Sequence, residues 1–314
     1  MLENYRVQVF RAVAEQASFR RAAEQLHISQ PSVSQHVQLL EEELGVRLLD
    51  RGSLGTQGIR ITPAGELLLK FARRSSRMSQ QVLAALARLE GQPGGDLRLA
   101  ASTTVAQYLL PRILGRFLKE NPRIQLAVKS GNTEQVTSWV LNGEAELGLI
   151  EGPPPSKEIA VEYFLDDRLL LIVPRGHAWA AQQIPLEAIA SAPLLMREQG
   201  SGTRRVIEQA LRRAGLRLNR LQIAMELDST EAIVSGVEAG LGVGFVSEWA
   251  IRKELRLGTL ATAQVADLEI RRSFSLIRPV GPVATGAVAA FHSFVLSQAG
   301  TSGSRSVTPS ASSR

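Results

Sequence analysis

The sequence predicts an α/β protein in three parts: an N-terminal winged helix-turn-helix, a long linker helix, and a larger region of two doubly wound subdomains. Three observations carry this prediction. Short amphipathic helical patterns with polar caps fill residues 1–62, and an unbroken apolar repeat then runs from 63 to about 90. Gly91-Gln-Pro-Gly-Gly95 is a breaker cluster that marks a linker. After it, strand-like and helix-like segments alternate to about residue 298, an order that implies parallel strands with helices on both faces.

Val9, Phe10, Val13 and Ala14 form the apolar stripe of a first helix. Ser18 caps a second, whose inner face is Phe19, Ala22, Ala23 and Leu26, the i, i+3, i+4, i+7 pattern. After a break at His27-Ile28, Ser29 or Gln30 caps a third helix, with Pro31 in the first turn, where a missing N–H costs nothing. Val33, Val37, Leu40 and Leu44 line its buried side, and Gly45 ends it. Two short helices joined by a tight turn form a helix-turn-helix. The outer face of the third helix offers Ser32, Ser34, Gln35 and Gln38, side chains able to read base edges or hold phosphates. Its far end carries Glu41, Glu42 and Glu43, which would repel DNA, so the N-terminal half is expected in the groove. Residues 47–50 and 59–62 read as two short strands, joined by Gly52-Ser-Leu-Gly-Thr-Gln-Gly58 as a wing, with Arg51 at its base placed for a phosphate or the minor groove. A small helical domain with a solvated polar face has the same pattern, so periodicity alone leaves both readings open.

Thr62 caps the long helix and Pro63 opens it. Leu68, Phe71, Ser75, Met78, Val82, Ala85 and Leu89 then recur at alternating spacings of three and four, a heptad seam. A helix of roughly 26 residues is about 40 Å long, too long and too one-sided to fold back on one small domain.

Specific residues decide between the readings of the first domain. Phe10-x-x-Val13, Ala17-Ser-Phe19, Ala22-Ala23, Leu26, Ser29-Gln-Pro-Ser-Val-Ser34, Leu40-Glu41, Leu44-Gly45, Leu48, Arg51 and Thr62-Pro-Ala-Gly65 stand in this order. The set closely resembles the DNA-binding domain of LysR-type transcriptional regulators. Leu49 is a departure, standing where the family usually has Phe. The resemblance implies double-stranded DNA as a partner, bound at a two-part promoter site. The residues expected at the DNA are Ser29, Gln30, Pro31, Ser32, Ser34, Gln35, Gln38 and Arg51. It also implies that the linker helix pairs antiparallel with a second copy, giving a homodimer and, in the full assembly, a homotetramer. It implies a periplasmic-binding-protein-like effector domain at 91–299, with subdomain I at about 96–166 and 269–299 and subdomain II at about 167–268.

Within that domain, strands are expected at 96–101, 124–128, 146–150, 168–173, 192–196, 222–226, 242–246 and 272–278. Helices are expected at 109–118, 134–142, 203–214, 230–239 and 283–297. Ligands in such sheets sit at the C-terminal strand ends, where helix N-termini present N–H groups. Ser102-Thr103-Thr104, Thr133 and Ser201-Gly202-Thr203 lie at such places. Their hydroxyls and backbone N–H groups suit a small anion or carboxylate, although Ser and Thr at helix starts are also ordinary caps. The resemblance points to the positions of Ser102, Thr104 and Thr133 for the effector. The Gly200-Ser-Gly-Thr-Arg204 segment is similar to that of a subset of the family that includes regulators of carbon fixation and of sulfur or nitrogen assimilation.

Composition bounds the rest. Hydrophobic residues make up 44% of the 314 and charged residues 21%, as in a globular chain with sizeable cores. The net charge of +6 is compatible with a nucleic-acid partner but mild. The absence of cysteine excludes disulfides, thiolate nucleophiles and cysteine metal sites. His27, His36, His177 and His292 are scattered without metal-ligand spacing. Gly240-Leu-Gly-Val-Gly244 follows a helix and opens a strand, the reverse of a nucleotide-binding turn. Ser201 lies in Gly-Ser-Gly, not in a nucleophile elbow, and no paired acid and base stands at helical or hairpin spacing. No enzyme activity, metal or cofactor is therefore expected. The N-terminus lacks a basic-then-apolar leader and the longest apolar runs, such as 169–173, are far too short to span a membrane, so a soluble cytoplasmic protein is expected. Residues 300–314, rich in Ser, Thr, Pro and Gly, read as a disordered tail.

Overall fold

The computed structural model describes residues 4–51, 59–89, 95–154 and 156–298. The expected wing loop at 52–58, most of the linker cluster and the expected tail at 300–314 lie outside the described residues. The chain divides into two compact units, Met1–Gln92 and Pro93–Arg314.

The first unit runs α1 (Tyr5–Gln16), α2 (Phe19–Leu26), α3 (Gln30–Leu44), β1 (Leu49–Arg51), β2 (Ile59–Ile61) and α4 (Pro63–Leu89). Its helices start where side chains satisfy their free N–H groups. Ser18 accepts from the Arg21 N–H and Ser29 from the Ser32 N–H, while Gly45 closes α3 at a φ of 66°. Phe10 and Val13 of α1, Ala22 of α2, Val33 and Val37 of α3 and Leu48 are all buried in one core. β1 and β2 pair antiparallel, with Leu49 opposite Ile61 and Arg51 opposite Ile59. Thr62 ties this ribbon to α4: its hydroxyl donates to the Arg47 carbonyl at 2.7 Å and accepts from the Gly65 N–H at 3.0 Å. A Cβ at Gly65 would sit 2.2 Å from the Leu48 carbonyl oxygen, so only glycine lets α4 start this close to β1. The beginning of α4 buries Leu69 and Ala72. Farther along the expected seam, Phe71 is 59% exposed, Met78 59% and Val82 47%. The side chains of Ala85 and Leu89 lie outside the described residues.

The second unit begins with β3 (Gly95–Ser102), a π-helical turn (Val105–Leu109), α5 (Leu110–Glu120), β4 (Ile124–Gly131), α6 (Thr133–Asn142) and β5 (Leu147–Glu151). It continues with β6 (Ile159–Pro174), β7 (Gln183–Ile184), α7 (Leu186–Ser191), β8 (Leu194–Arg197), α8 (Gly202–Arg213) and β9 (Ile223–Leu227). Then come α9 (Thr230–Glu238), β10 (Val243–Ser247), α10 (Arg252–Leu257), β11 (Leu260–Val265), β12 (Ile270–Pro279) and α11 (Ala287–Ser297). The strand order is β4-β3-β5-β12-β6-β10-β8-β9, with β11 beside β6. β3, β4 and β5 are parallel in one lobe, and β8, β9 and β10 are parallel in the other. β6 and β12 run antiparallel through both lobes, from the pair Ile159–Pro279 to the pair Leu169–Ile270. Each lobe has a core on either side of its sheet. Leu99, Phe117 and Phe291 pack on one face of the first lobe, and Val136, Val140 and Ile150 on the other. Leu171, Leu194 and Ile207 pack on one face of the second lobe, and Leu195, Ile233 and Val246 on the other.

Three local differences from the expected elements have physical causes. β6 starts at Ile159 and not at Arg168, because Asp167, which interrupts the apolar run, is neutralised inside the sheet by Arg272. The helix expected from residue 109 is entered through the π-turn at Val105–Leu109. α11 starts at Ala287 and not at Val283. β7, α7, α10 and β11 are too short or too weakly patterned to read from periodicity.

Candidate nucleic-acid interface and inter-lobe cleft

On the first unit, α3 turns its polar face outward. Gln30, Pro31, Gln35 and Gln38 are exposed, while Ser32 and Ser34 are half-buried. Ser29 is exposed, although its oxygen already caps the helix by accepting from the Ser32 N–H at 3.3 Å. Its hydrogen stays free to donate to a phosphate. Arg51 ends β1, and its side chain lies outside the described residues.

The acidic end of α3 is less repulsive than the sequence implies. Glu41 folds inward, accepting from the Leu48 N–H at 2.6 Å and the Leu49 N–H at 3.1 Å. Glu43 pairs with Arg6 at 2.8 Å, and Glu42 accepts from the Gln38 amide at 2.9 Å. The first of these acids serves to dock the β-ribbon and the others are partly compensated. Periodicity also passed over Arg20 and Arg21, exposed on α2 and able to meet phosphates.

In the second unit the strands of both lobes point their C-terminal ends at one cleft. Ser102 ends β3, Glu151 ends β5, Arg197 ends β8 and Ser247 ends β10. The helices that follow start there too: Thr133 opens α6, Gly202 and Thr203 open α8, and Thr230 opens α9. Ser102, Thr104, Thr133, Ser201, Thr203 and Thr230 are all nearly fully buried.

Most of the hydroxyls expected from sequence converge there. Ser102 donates to the Glu151 carboxylate. Thr104 lies 3.1 Å from it and 2.9 Å from the Thr230 hydroxyl, and Thr203 lies 3.3 Å from it. Thr133 donates to the Glu151 carbonyl at 3.2 Å and accepts from the Gly202 N–H at 3.1 Å, which joins the lobes. Gly202 is sterically required, since a Cβ there would stand 1.9 Å from the Glu151 carbonyl oxygen. Ser201 does not join the cluster directly but caps α8 by accepting from the Arg204 N–H at 3.4 Å. The Thr103 hydroxyl is buried without a hydrogen-bond partner.

Charged residues that the sequence reading missed organise the cleft. Arg272 pairs with Asp167 at 2.6 Å, donates to Thr203 at 2.7 Å and lies 3.9 Å from Glu151. Burial raises the Asp167 carboxyl above the ordinary range; Arg272 and Ser247 pull it down and Glu151 adds to the rise. Arg197 donates to Thr230 at 3.3 Å and pairs with Glu198 at 2.8 Å. A signal was available: Glu151 follows Leu147-Gly-Leu-Ile150, and Arg197 follows Leu194-Leu-Met196. A charge closing an apolar strand is buried only with a partner.

A helix-turn-helix with a two-stranded ribbon, a long helix, and a two-lobed α/β unit whose strand ends meet at a cleft together define the class. The model of the bacterial regulatory helix-turn-helix protein of the lysR family matches residues 5–66, and the LysR substrate binding domain matches residues 90–300. A "Probable RuBisCO transcriptional regulator" of Synechocystis sp. is 36% identical over 93% of this chain and 85% of its own length. The regulatory domain of Synechocystis CcmR, solved in complex with 2-PG, is 29% identical with a TM-score of 0.60, over 65% of this chain and 96% of that one. A full-length OxyR variant from Pseudomonas aeruginosa shares the fold, with a TM-score of 0.69 at 21% identity over 94% of this chain and 93% of that one. The chain belongs to the LysR family of transcriptional regulators.

Proposed function

We propose that this regulator binds a two-part promoter site as an oligomer paired through α4, and that a small anionic metabolite held between the lobes tunes that binding. In this reading Ser29, Gln30, Pro31, Ser32, Ser34, Gln35, Gln38 and Arg51 contact DNA, and Ser102, Thr103, Thr104, Thr133, Ser201, Gly202 and Thr203 form the effector site. The organisation is a DNA-binding domain to residue 62, a dimerising helix to 90, and an effector domain whose lobes meet near 166 and 268. The protein acts in the cytoplasm without catalysis, and the full assembly is a tetramer.

The observation that carries the effector reading is the convergence of buried hydroxyls and three helix N-termini from two lobes at the C-terminal strand ends. The pairing reading is supported by the exposed apolar row Phe71, Met78 and Val82. No helix among the described residues is long and apolar enough to cross a membrane. Relatives named for RuBisCO regulation and the 2-phosphoglycolate held by the CcmR domain favour a phosphorylated carboxylate of carbon assimilation.

A ligand changes DNA binding only through a different affinity for two arrangements of the protein. Footprinting of the full chain on its promoter, with and without 2-phosphoglycolate, tests this. Two protected half-sites are expected, with a change in their spacing or in the bend between them when the ligand is added. Identical footprints and bends across a panel of phosphorylated and carboxylate metabolites overturn the effector reading.

A further inference from the structure

The hydrogens in the cleft all run one way. Arg272 has only donors, so the Thr203 oxygen accepts from it at 2.7 Å and the Thr203 hydrogen is left for Glu151. Arg197 likewise donates to Thr230 at 3.3 Å, which leaves the Thr230 hydrogen for Thr104 and the Thr104 hydrogen for Glu151. Ser102 donates directly. Two arginine-headed relays and one hydroxyl therefore end on a single carboxylate that is 1% exposed. The donors come from both lobes, Ser102 and Thr104 from one and Thr203 from the other. This is the coordination of a bound anion, and the anion belongs to the chain.

We propose that Glu151 is a built-in ligand: its carboxylate fills the anion position of the cleft, and an anionic effector binds by displacing it. The inference rests on the effector reading above and names the residue that sets affinity and specificity at that site. Two facts give it force beyond the hydroxyls. Glu151, Asp167 and Glu198 face only Arg272 and Arg197 here, so the carboxylates outnumber the guanidiniums by one and a further anion meets net repulsion while Glu151 remains. One guanidinium nitrogen of Arg272, Nη2, is buried with no hydrogen-bond partner, and the side chain is 1% exposed, so a donor stands ready for an incoming oxygen. Glu151 is the last residue of β5, where a side chain can swing out without breaking the ladder. A weakly responsive, high-threshold sensor follows: the effector must replace a tethered competitor.

The experiment is calorimetric titration of the full-length wild type, Glu151→Gln and Glu151→Ala with 2-phosphoglycolate and with inorganic phosphate. Glutamine keeps the shape and an acceptor for the hydroxyls but removes the charge. Both variants should bind at least one of the two probes ten or more times more tightly than the wild type. A liganded structure of the wild type should show the Glu151 carboxylate away from Ser102 and Thr104. Equal or weaker binding by the variants, with the wild type binding normally, overturns the displacement while leaving the effector reading intact. Failure of all three proteins to bind either anion overturns the displacement, and a promoter response to neutral or cationic compounds alone would overturn the anionic reading with it. If neither variant folds, the wild-type liganded structure decides: Glu151 still bonded to Ser102 and Thr104, with the anion elsewhere, overturns the proposal.

Discussion

On α3, Ser and Gln side chains stand within nine residues, Gln30 to Gln38, on one face of one helix, and the glutamines face solvent. In the cleft, Ser and Thr side chains come from strands and helices scattered between residues 102 and 230, and each oxygen of the central cluster has a partner. The same polar chemistry is used differently. The outward face keeps donors and acceptors available for a large partner and contributes little to folding. Apart from the Thr103 hydroxyl and Arg272 Nη2, the inward groups bond to one another, so they contribute to the stability and specificity of the lobe arrangement, and any ligand must compete with internal bonds.

The largest expected effect lies in the cleft. Arg272→Leu leaves Glu151 and Asp167 buried side by side without their cation. Removing one partner of a buried pair costs about 3–5 kcal/mol, so urea denaturation should show a loss of that size in the second unit. Replacing Asp167 as well should return part of it, because the uncompensated charge disappears. A loss below about 1 kcal/mol for Arg272→Leu would erase the contrast between the two regions.

On α3 the same logic gives a smaller effect and a different readout. Gln35 is exposed, so Gln35→Ala should leave the thermal midpoint unchanged. Specific DNA binding should weaken by about 1–3 kcal/mol if Gln35 reads a base edge with both amide groups. An equal loss on specific and random DNA would make Gln35 a phosphate contact instead.

The smallest effect concerns pH. Burial works to raise the Glu162 carboxyl, but hydrogen bonds from His292 and Arg278 outweigh it and hold it below the ordinary range. A carboxyl depressed in the folded state contributes stability that is present above its unfolded value and is lost as pH falls through the folded one. Glu162→Gln should therefore flatten the acid side of the stability curve slightly, as measured by denaturation midpoints between neutral pH and about pH 3. An unchanged slope would mean that the partly exposed site is screened by water.

Much of the described first unit was legible in the sequence, although Leu44, expected on the buried side of α3, is 46% exposed in the helix's last turn. The stripe from Val9 to Ala14, the caps Ser18 and Ser29, and the terminating Gly45 are local signals, because helix periodicity and capping act over three or four residues. The sequence also determined that polar groups stand at the C-terminal strand ends, since Ser102, Thr133 and Ser201 sit at turns that neighbouring residues dictate. Only the tertiary structure decided the direction in which Glu41 faces, and only it brought Glu151, Asp167, Arg197 and Arg272 to one cleft. The reason is distance along the chain. Glu151 and Arg272 meet because β5, β12 and β6 are neighbours in one sheet, and strand order follows from burying both lobes' faces at once, which no window of the sequence encodes.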